Sequence, residues 1–194
     1  AVAGWKFNDM GEIVGERLQA RPGGVAFFKH DQALESGDVL RVNYEGGGDA
    51  SIGLATAAYE PERNAQSYES TASVRLGEGS TDIHGEISFD GEEYFRYDHL
   101  APHIPETAPF EVALRCEAGT NVPQVQLNED GVWHDFVAEG RVSLQAGPWF
   151  PRLQLFPGAL VTDLRVDRPK ATKSAGMSTP NTAADGAGAG AGAE

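Results

Sequence analysis

The chain has 194 residues, 40% of them hydrophobic, and this length and composition predict a single folded domain. Its formal net charge of -14, from 29 acidic and 15 basic residues, argues against nucleic acid as a partner, because phosphate backbones require a clustered basic surface. The single cysteine, Cys116, excludes an intrachain disulfide and a four-thiolate zinc site, and no apolar run reaches the roughly 20 residues of a membrane-spanning helix.

Short alternating strands are predicted from Val25 to Val166. The first is Val25–Phe28, and the second is Val39–Tyr44, in which Leu40, Val42 and Tyr44 share one face. A glycine-rich turn follows and leads into a third strand, Ser51–Thr56.

The middle of the chain adds strands at 72–76, 85–89 and 93–97, with loops at 57–70 and 99–107 because prolines interrupt both stretches. The clearest strand is Phe110–Cys116. Its apolar side chains alternate with Glu111, Ala113 and Arg115, so we predict that Glu111 lies on the face opposite the core, where its replacement should matter little. Cys116 is predicted to be a buried structural thiol.

The last predicted strands are 122–127, 132–137, 142–144, 153–156 and 161–166, with a turn at Asn128–Gly131. About ten strands without intervening long helices predict an all-β fold, an antiparallel two-sheet β-sandwich or single jelly roll. We place this domain at residues 1–168. Residues 169–194 are rich in glycine and alanine and are predicted to form a flexible tail, since they offer almost no apolar surface to bury.

The basic residues are unevenly chosen, with four lysines and eleven arginines. A carboxylate-rich, lysine-poor surface is typical of proteins adapted to high salt, that is, halophilic proteins. A GC-rich genome produces the same bias, and the sequence leaves both explanations open.

Two stretches resemble Neuralized and SPRY-type β-sandwich domains. The first is Val25–Thr56, which includes Ala33-Leu-Glu-Ser-Gly-Asp-Val-Leu-Arg-Val42, and the second is the hairpin Val125–Phe136. The resemblance implies a peptide-recognition module.

The whole chain also resembles single jelly-roll capsid proteins in its size, strand number, acidic surface and flexible ends. This resemblance implies a structural protein of a virion, with copies of itself or other structural proteins as partners. It places the chain in a virion or another large intracellular assembly, and otherwise in the cytoplasm, since the first residues lack the features of a secretory signal.

The sequence assigns no catalytic, cofactor-binding or metal-binding residue. His99 and His103 have a ligand-like spacing, but Pro102 and Pro105 prevent the helix that would align them, and His134 and Asp135 point to opposite faces of a strand. No spaced Asp-x-Asp-x-Asp calcium loop is present, although a lone calcium site stays open. The acidic pairs suited to glycoside hydrolysis are interpreted as solvated charges; they are Glu92 with Glu93, Glu129 with Asp130, and Glu86 with Asp90.

The aromatic residues can stack on sugars or pack in the protein, and packing is the preferred interpretation. They are Trp5, Trp133, Trp149, Tyr59, Tyr68, Tyr94 and Tyr97. The sequence therefore predicts a non-enzymatic structural subunit that assembles through protein–protein contacts, of the capsid type. The alternatives are a Neuralized- or SPRY-like peptide-recognition module and a carbohydrate-binding β-sandwich.

Overall fold

The computed structural model describes residues 3–62, 71–78, 83–89, 92–94, 101–136 and 147–168. Fourteen strands and one short 3-10 helix lie within these ranges. The strands are β1 (Trp5–Phe7), β2 (Gly11–Val14), β3 (Arg17–Ala20), β4 (Ala26–His30), β5 (Val39–Tyr44), β6 (Ala50–Ala55), β7 (Thr71–Glu78), β8 (Ile83–Phe89), β9 (Glu92–Tyr94), β10 (Phe110–Cys116), β11 (Pro123–Leu127), β12 (His134–Asp135), β13 (Phe150–Leu155) and β14 (Leu160–Asp167). The 3-10 helix covers Ala101–His103. Among the described residues no helix has the length and apolar character needed to span a bilayer.

The strands form two sheets of seven. Sheet A has the order β1-β4-β13-β6-β7-β8-β9, and sheet B has the order β12-β11-β10-β5-β14-β3-β2. Every described pairing is antiparallel. The predicted all-β, two-sheet antiparallel sandwich is confirmed.

The core lies between the sheets and follows the period-two pattern of the strands. Phe110, Val112, Leu114 and Cys116 of β10 all belong to one buried cluster, as predicted from their alternation. Sheet A contributes Phe28, Ile52, Val74 and Leu153, among others, to the same cluster. Burial raises the pKa of the Cys116 thiol from 9.0 to about 12, which fits a structural thiol.

Three strands, β1 to β3, precede the first predicted strand, which begins at Val25. β2 and β3 form a hairpin in which Val14 pairs with Arg17 across Gly15-Glu16, and Gly15 has a φ of 62°. A glycine with positive φ at the first position of a two-residue turn is a common hairpin signal. That signal could have located the hairpin.

Glu111 lies on the face of β10 opposite the core, as predicted, but other side chains cover it there. Its side chain is only 11% exposed and accepts hydrogen bonds from Arg41 Nη1 at 2.6 Å and Arg165 Nη2 at 2.9 Å. Arg41 lies on the neighbouring strand β5, opposite Ala113 and so diagonal to Glu111, and its Nε also donates to Asp167 at 2.7 Å. Ion pairs on the outer face of sheet B therefore connect the three strands β5, β10 and β14.

Several predicted elements differ in extent or fall outside the described residues. The predicted strand 132–137 is only two residues long, at His134–Asp135, and the predicted loop 99–107 contains the 3-10 helix. The predicted strand 142–144 and the predicted tail 169–194 lie outside the described residues. The division of the chain at residue 168 stays a prediction.

Candidate functional site

Two open clefts meet at the end of strand β4. One, the Lys29 cleft, has a volume of about 520 Å³, and the other, the Trp5 cleft, has a volume of about 620 Å³. His30 and Asp31 line both. The Lys29 cleft is further lined by Lys6, Lys29, Ala57, Tyr59, Glu60, Pro61, Glu62 and Phe150. The Trp5 cleft is further lined by Ala3, Gly4, Trp5, Gln32, Leu40, Leu164, Arg165, Val166 and Arg168.

Edge strand β1 lies between the two clefts. In its pairing with β4, Lys6 is opposite Lys29 and Trp5 is opposite His30. Neighbouring residues on a strand point to opposite faces of the sheet, so the Lys6–Lys29 pair faces one cleft and the Trp5–His30 pair faces the other. The clefts therefore flank the β1 edge of sheet A on its two faces.

Lys29 builds the wall of the first cleft. Its ammonium donates to the carbonyl oxygens of Thr56, Ala57 and Tyr59 at 3.0, 3.3 and 2.7 Å, and lies 4.7 Å from the centre of the Phe150 ring. Burial lowers the pKa of Lys29 because the charged form loses water, and Lys6 lowers it further whereas Glu60 raises it. Since an ammonium has three hydrogens, Lys29 holds the loop after β6 rather than offering a donor to a ligand.

His30 anchors the junction of the clefts through both of its ring nitrogens. The backbone amide of Gln32 donates to its Nδ1 at 3.1 Å, and its Nε2 lies 3.1 Å from the carbonyl oxygen of Ala3. Asp31 Oδ1 is 3.5 Å from the same Nδ1. These contacts hold the ring between the N-terminal segment and the residues that follow β4.

Gly4 allows the N-terminal segment to lie against this junction. It has a φ of 91°, and its carbonyl oxygen accepts from the Asp31 amide at 2.8 Å. A Cβ on Gly4 would lie 2.6 Å from Asp31 Oδ1 and 2.9 Å from His30 Nε2. Only glycine fits without moving one of these groups.

The Trp5 cleft has an apolar floor and a charged rim. Trp5, Leu40 and Leu164 are buried, and the indole of Trp5 contacts the His30 ring edge-on at 5.2 Å between centres. Val166 is 39% exposed, one of three large aliphatic side chains so exposed in the described part of the chain. Arg168 stands at the rim, 65% exposed and 4.0 Å from Asp38. The cleft can hold an apolar group over Val166 with charged groups around it.

The aromatic residues that the structure describes support packing over sugar stacking. Trp5, Tyr59 and Trp149 are buried. The face of Trp133 is covered by the Arg115 guanidinium, 4.0 Å from the ring centre. Tyr68 and Tyr97 lie outside the described residues, and the side chain of Tyr94 is not described.

The structure brings together one set of side chains that sequence reasoning kept apart. His103, Asp130 and His134 have their ligand atoms within 4.8 Å of one another. His134 contacts His103, whereas Asp135 accepts a hydrogen bond from Gln124 Nε2 at 2.6 Å, so these adjacent residues have different partners. His99 and Asp90 lie outside the described residues, and the side chains of the other acidic pairs are not described, apart from Glu129 and Asp130. No spacing in the sequence connects residue 103 with the hairpin at 130–134, which is why this set was missed.

Comparison with known proteins identifies the fold. No protein-family model matches the sequence, and neither does any curated protein. The SPRY domain of human HERC1 matches with a TM-score of 0.57 and 11% identity, covering 82% of this chain and 92% of that one. The TRIM65 PSpry domain matches at 0.52 and 13%, with 81% and 86% covered, and the carbohydrate-binding module CBM66 from Bacillus subtilis matches at 0.51 and 12%, with 84% and 95% covered. At these identities the likeness concerns the fold.

The expected SPRY-type β-sandwich is thus supported at the level of architecture. Two of these matching structures are named SPRY domains and the third is named a carbohydrate-binding module. None of the three is a capsid protein, so assembly of the capsid type and a halophilic origin stay predictions.

Proposed function

We propose that this chain is a non-enzymatic recognition module that binds an extended segment of a partner protein along strand β1. The observation that carries the proposal is the position of the two clefts, one on each face of sheet A at its β1 edge. Strand β1 is the outermost strand of the described sheet A, so its far edge has no described strand beside it. A free strand edge binds an extended peptide through main-chain hydrogen bonds.

Strand addition explains why two clefts are needed. The side chains of an added strand alternate between the two faces of the sheet, as those of β1 do. Every second side chain of the ligand would enter the Trp5 cleft, and the others would enter the Lys29 cleft. Main-chain pairing then supplies affinity, and the two clefts supply specificity.

The linings of the clefts indicate the chemistry of the ligand. The Trp5 cleft offers the exposed Val166 above a buried apolar floor, which suits an aliphatic or aromatic side chain. The Lys29 cleft contains three carboxylates, on Asp31, Glu60 and Glu62, and two ammonium groups, on Lys6 and Lys29. The ammonium of Lys29 already donates to three carbonyl oxygens of the protein. A lysine or arginine suits that cleft, and the net charge of -14 attracts basic segments in general. The ligand is therefore an extended segment in which apolar and basic residues alternate.

Selection from a library of random linear peptides tests the proposal. Peptides enriched on the immobilised chain should alternate apolar and basic residues, and the affinity of a synthetic copy is measured by fluorescence anisotropy. Val166→Asp should weaken binding about tenfold or more, because it places a carboxylate against the apolar anchor of the peptide. Val14→Asp is the matched control, since Val14 is an exposed valine on the edge strand β2 of the other sheet.

Hydrogen–deuterium exchange distinguishes strand addition from other ways of binding. Bound peptide should slow amide exchange in Trp5–Phe7 and leave Gly11–Val14 unchanged. Equal loss of affinity in Val166→Asp and Val14→Asp, or no added protection in β1, would contradict the proposal. Selection of no peptide together with binding on a glycan array would replace it with carbohydrate recognition.

A further inference from the structure

A second site lies at the far edge of sheet B, built by three segments. His103 ends the 3-10 helix Ala101–His103, Asp130 sits in the turn between β11 and β12, and His134 begins β12. Their ligand atoms all lie within 4.8 Å of one another. In sheet B, the strands β11 and β10 lie between β12 and β5, and Leu40 of β5 lines the Trp5 cleft. The second site is therefore distinct from the Trp5 cleft.

Each of the three side chains is positioned by the fold. Residues Asn128 and Glu129 have φ angles of 52° and 53°, and this left-handed turn brings Asp130 back over the hairpin. The amide of Val132 donates to Asp130 Oδ1 at 2.9 Å and so orients the carboxylate, leaving Oδ2 at 2.6 Å from His103 Nδ1. His134 is fixed by pairing with Val125 of β11. Ile104, next to His103, packs against the core and holds the third segment.

The donor set is that of a zinc site. Two imidazole nitrogens and one carboxylate oxygen form a common set of three protein ligands for Zn²⁺, with a water in the fourth position. Zinc bonds of about 2.0–2.2 Å in a tetrahedron place the ligand atoms about 3.3 Å apart. The 2.6 Å contact between His103 and Asp130 would open slightly, and ligand atoms that are farther apart, within 4.8 Å, would approach one another. Both side chains are about a quarter exposed, so the ion can reach them and they have room to adjust.

We propose that His103, Asp130 and His134 bind Zn²⁺ and that the ion ties the segment before β10 to the β11–β12 hairpin. The carboxylate is already oriented by the Val132 amide, as outer-shell hydrogen bonds orient metal ligands elsewhere. The metal closes a loop of 27 residues between His103 and Asp130. Bound zinc therefore stabilises the edge of sheet B, because it binds the folded chain and has no assembled site in the unfolded one.

The test uses the full, untagged chain after treatment with a chelator. Titration with ZnCl2 in a calorimeter should show one saturable site, and ZnCl2 should raise the melting temperature. His103→Gln and His134→Gln should each weaken Zn²⁺ binding by about tenfold or more, at least the effect seen for outer-shell residues. His30→Gln is the matched control, because His30 also lies beside a carboxylate, Asp31, at 3.5 Å, but belongs to no described ligand cluster.

Asp130→Asn provides a second route if a histidine variant fails to fold, since the amide oxygen still accepts from Val132. It should retain the metal-free melting temperature more closely than the histidine variants and lose most of the zinc-dependent increase. The proposal is overturned if the unmodified chain shows no saturable binding. It is equally overturned if His30→Gln weakens binding as much as His103→Gln, or if all three ligand variants keep the full zinc response. The proposal of peptide binding along β1 does not depend on zinc binding by His103, Asp130 and His134, and is tested separately by peptide selection.

Discussion

Replacing Glu111 with alanine is expected to destabilise the protein by about 2 kcal/mol, although Glu111 lies on the face of β10 opposite the core. Its carboxylate is 11% exposed and accepts from two guanidinium groups, those of Arg41 and Arg165. The hydrogen bond with Glu111 is also the main reason why the pKa of Arg41 is raised. The variant would leave Arg41 paired with Asp167 alone.

The magnitude follows from the geometry of the two contacts. The Arg41 contact, at 2.6 Å and largely shielded from water, is a charge-assisted hydrogen bond worth about 1.5–3 kcal/mol. The remaining bond to Asp167 reduces this loss. The Arg165 side chain is 44% exposed, so solvent screening limits its contribution to about 0–1 kcal/mol. By comparison, Leu114 is fully buried and its replacement with alanine should cost about 2–5 kcal/mol.

Urea denaturation followed by tryptophan fluorescence measures these changes, with Trp149 as a buried reporter. Glu111→Ala should lower the midpoint without changing the slope, which indicates a change in stability rather than in the unfolded state. A double-mutant cycle with Arg41→Ala should give a coupling energy of about 1–2 kcal/mol. Glu35→Ala is the control, because Glu35 is an exposed carboxylate on a loop and should change stability by less than about 0.5 kcal/mol.

The reasoning is refuted if Glu111→Ala behaves like Glu35→Ala. It is also refuted if the coupling with Arg41 is zero, because the contact would then contribute nothing beyond solvation of the two charges. In either case the two ion pairs of Glu111 would contribute no more to stability than an exposed carboxylate does.

Three further outcomes are expected. Cys116 should resist thiol reagents at pH 8 until the chain unfolds, and rapid labelling of the native protein would contradict this. The stability of the fold should decrease as the pH rises from about 9 towards 12, because the pKa of the thiol is 9.0 in the unfolded chain and about 12 in the folded one. Gly53→Ala should prevent normal pairing of β6 with β7, since its Cβ would overlap the Ala72 carbonyl oxygen and lie 2.5 Å from Ser73 Cα. The melting temperature should fall far more than it does when the exposed Gly119 is replaced by alanine. If the chain assembles as a capsid-type subunit, removing residues 169–194 should leave its melting temperature unchanged and weaken association measured by light scattering, whereas equal association with and without the tail would count against that assembly.

The sequence by itself determined the fold class and the facing of its central strands. β10 begins and ends where the alternation of Phe110, Val112, Leu114 and Cys116 predicts, and β5 matches Val39–Tyr44. Such strands are readable because burial of one face imposes a period of two on neighbouring residues. The hairpin β2–β3 left a weaker signal, since its two strands have only four residues each.

Only the tertiary structure decided which distant residues meet. The partners of Glu111 lie on β5 and β14, and a strand pattern shows that its side chain faces outward without showing what covers it. His103 and His134 come together because the segment that contains His103 is held against the core by Ile104, beside the β11–β12 hairpin. The two clefts form because β1 pairs with β4, from which a long connection separates it in the sequence. Local propensity acts between neighbours along the chain, whereas sites of this kind depend on pairings between segments that the sequence does not specify one by one.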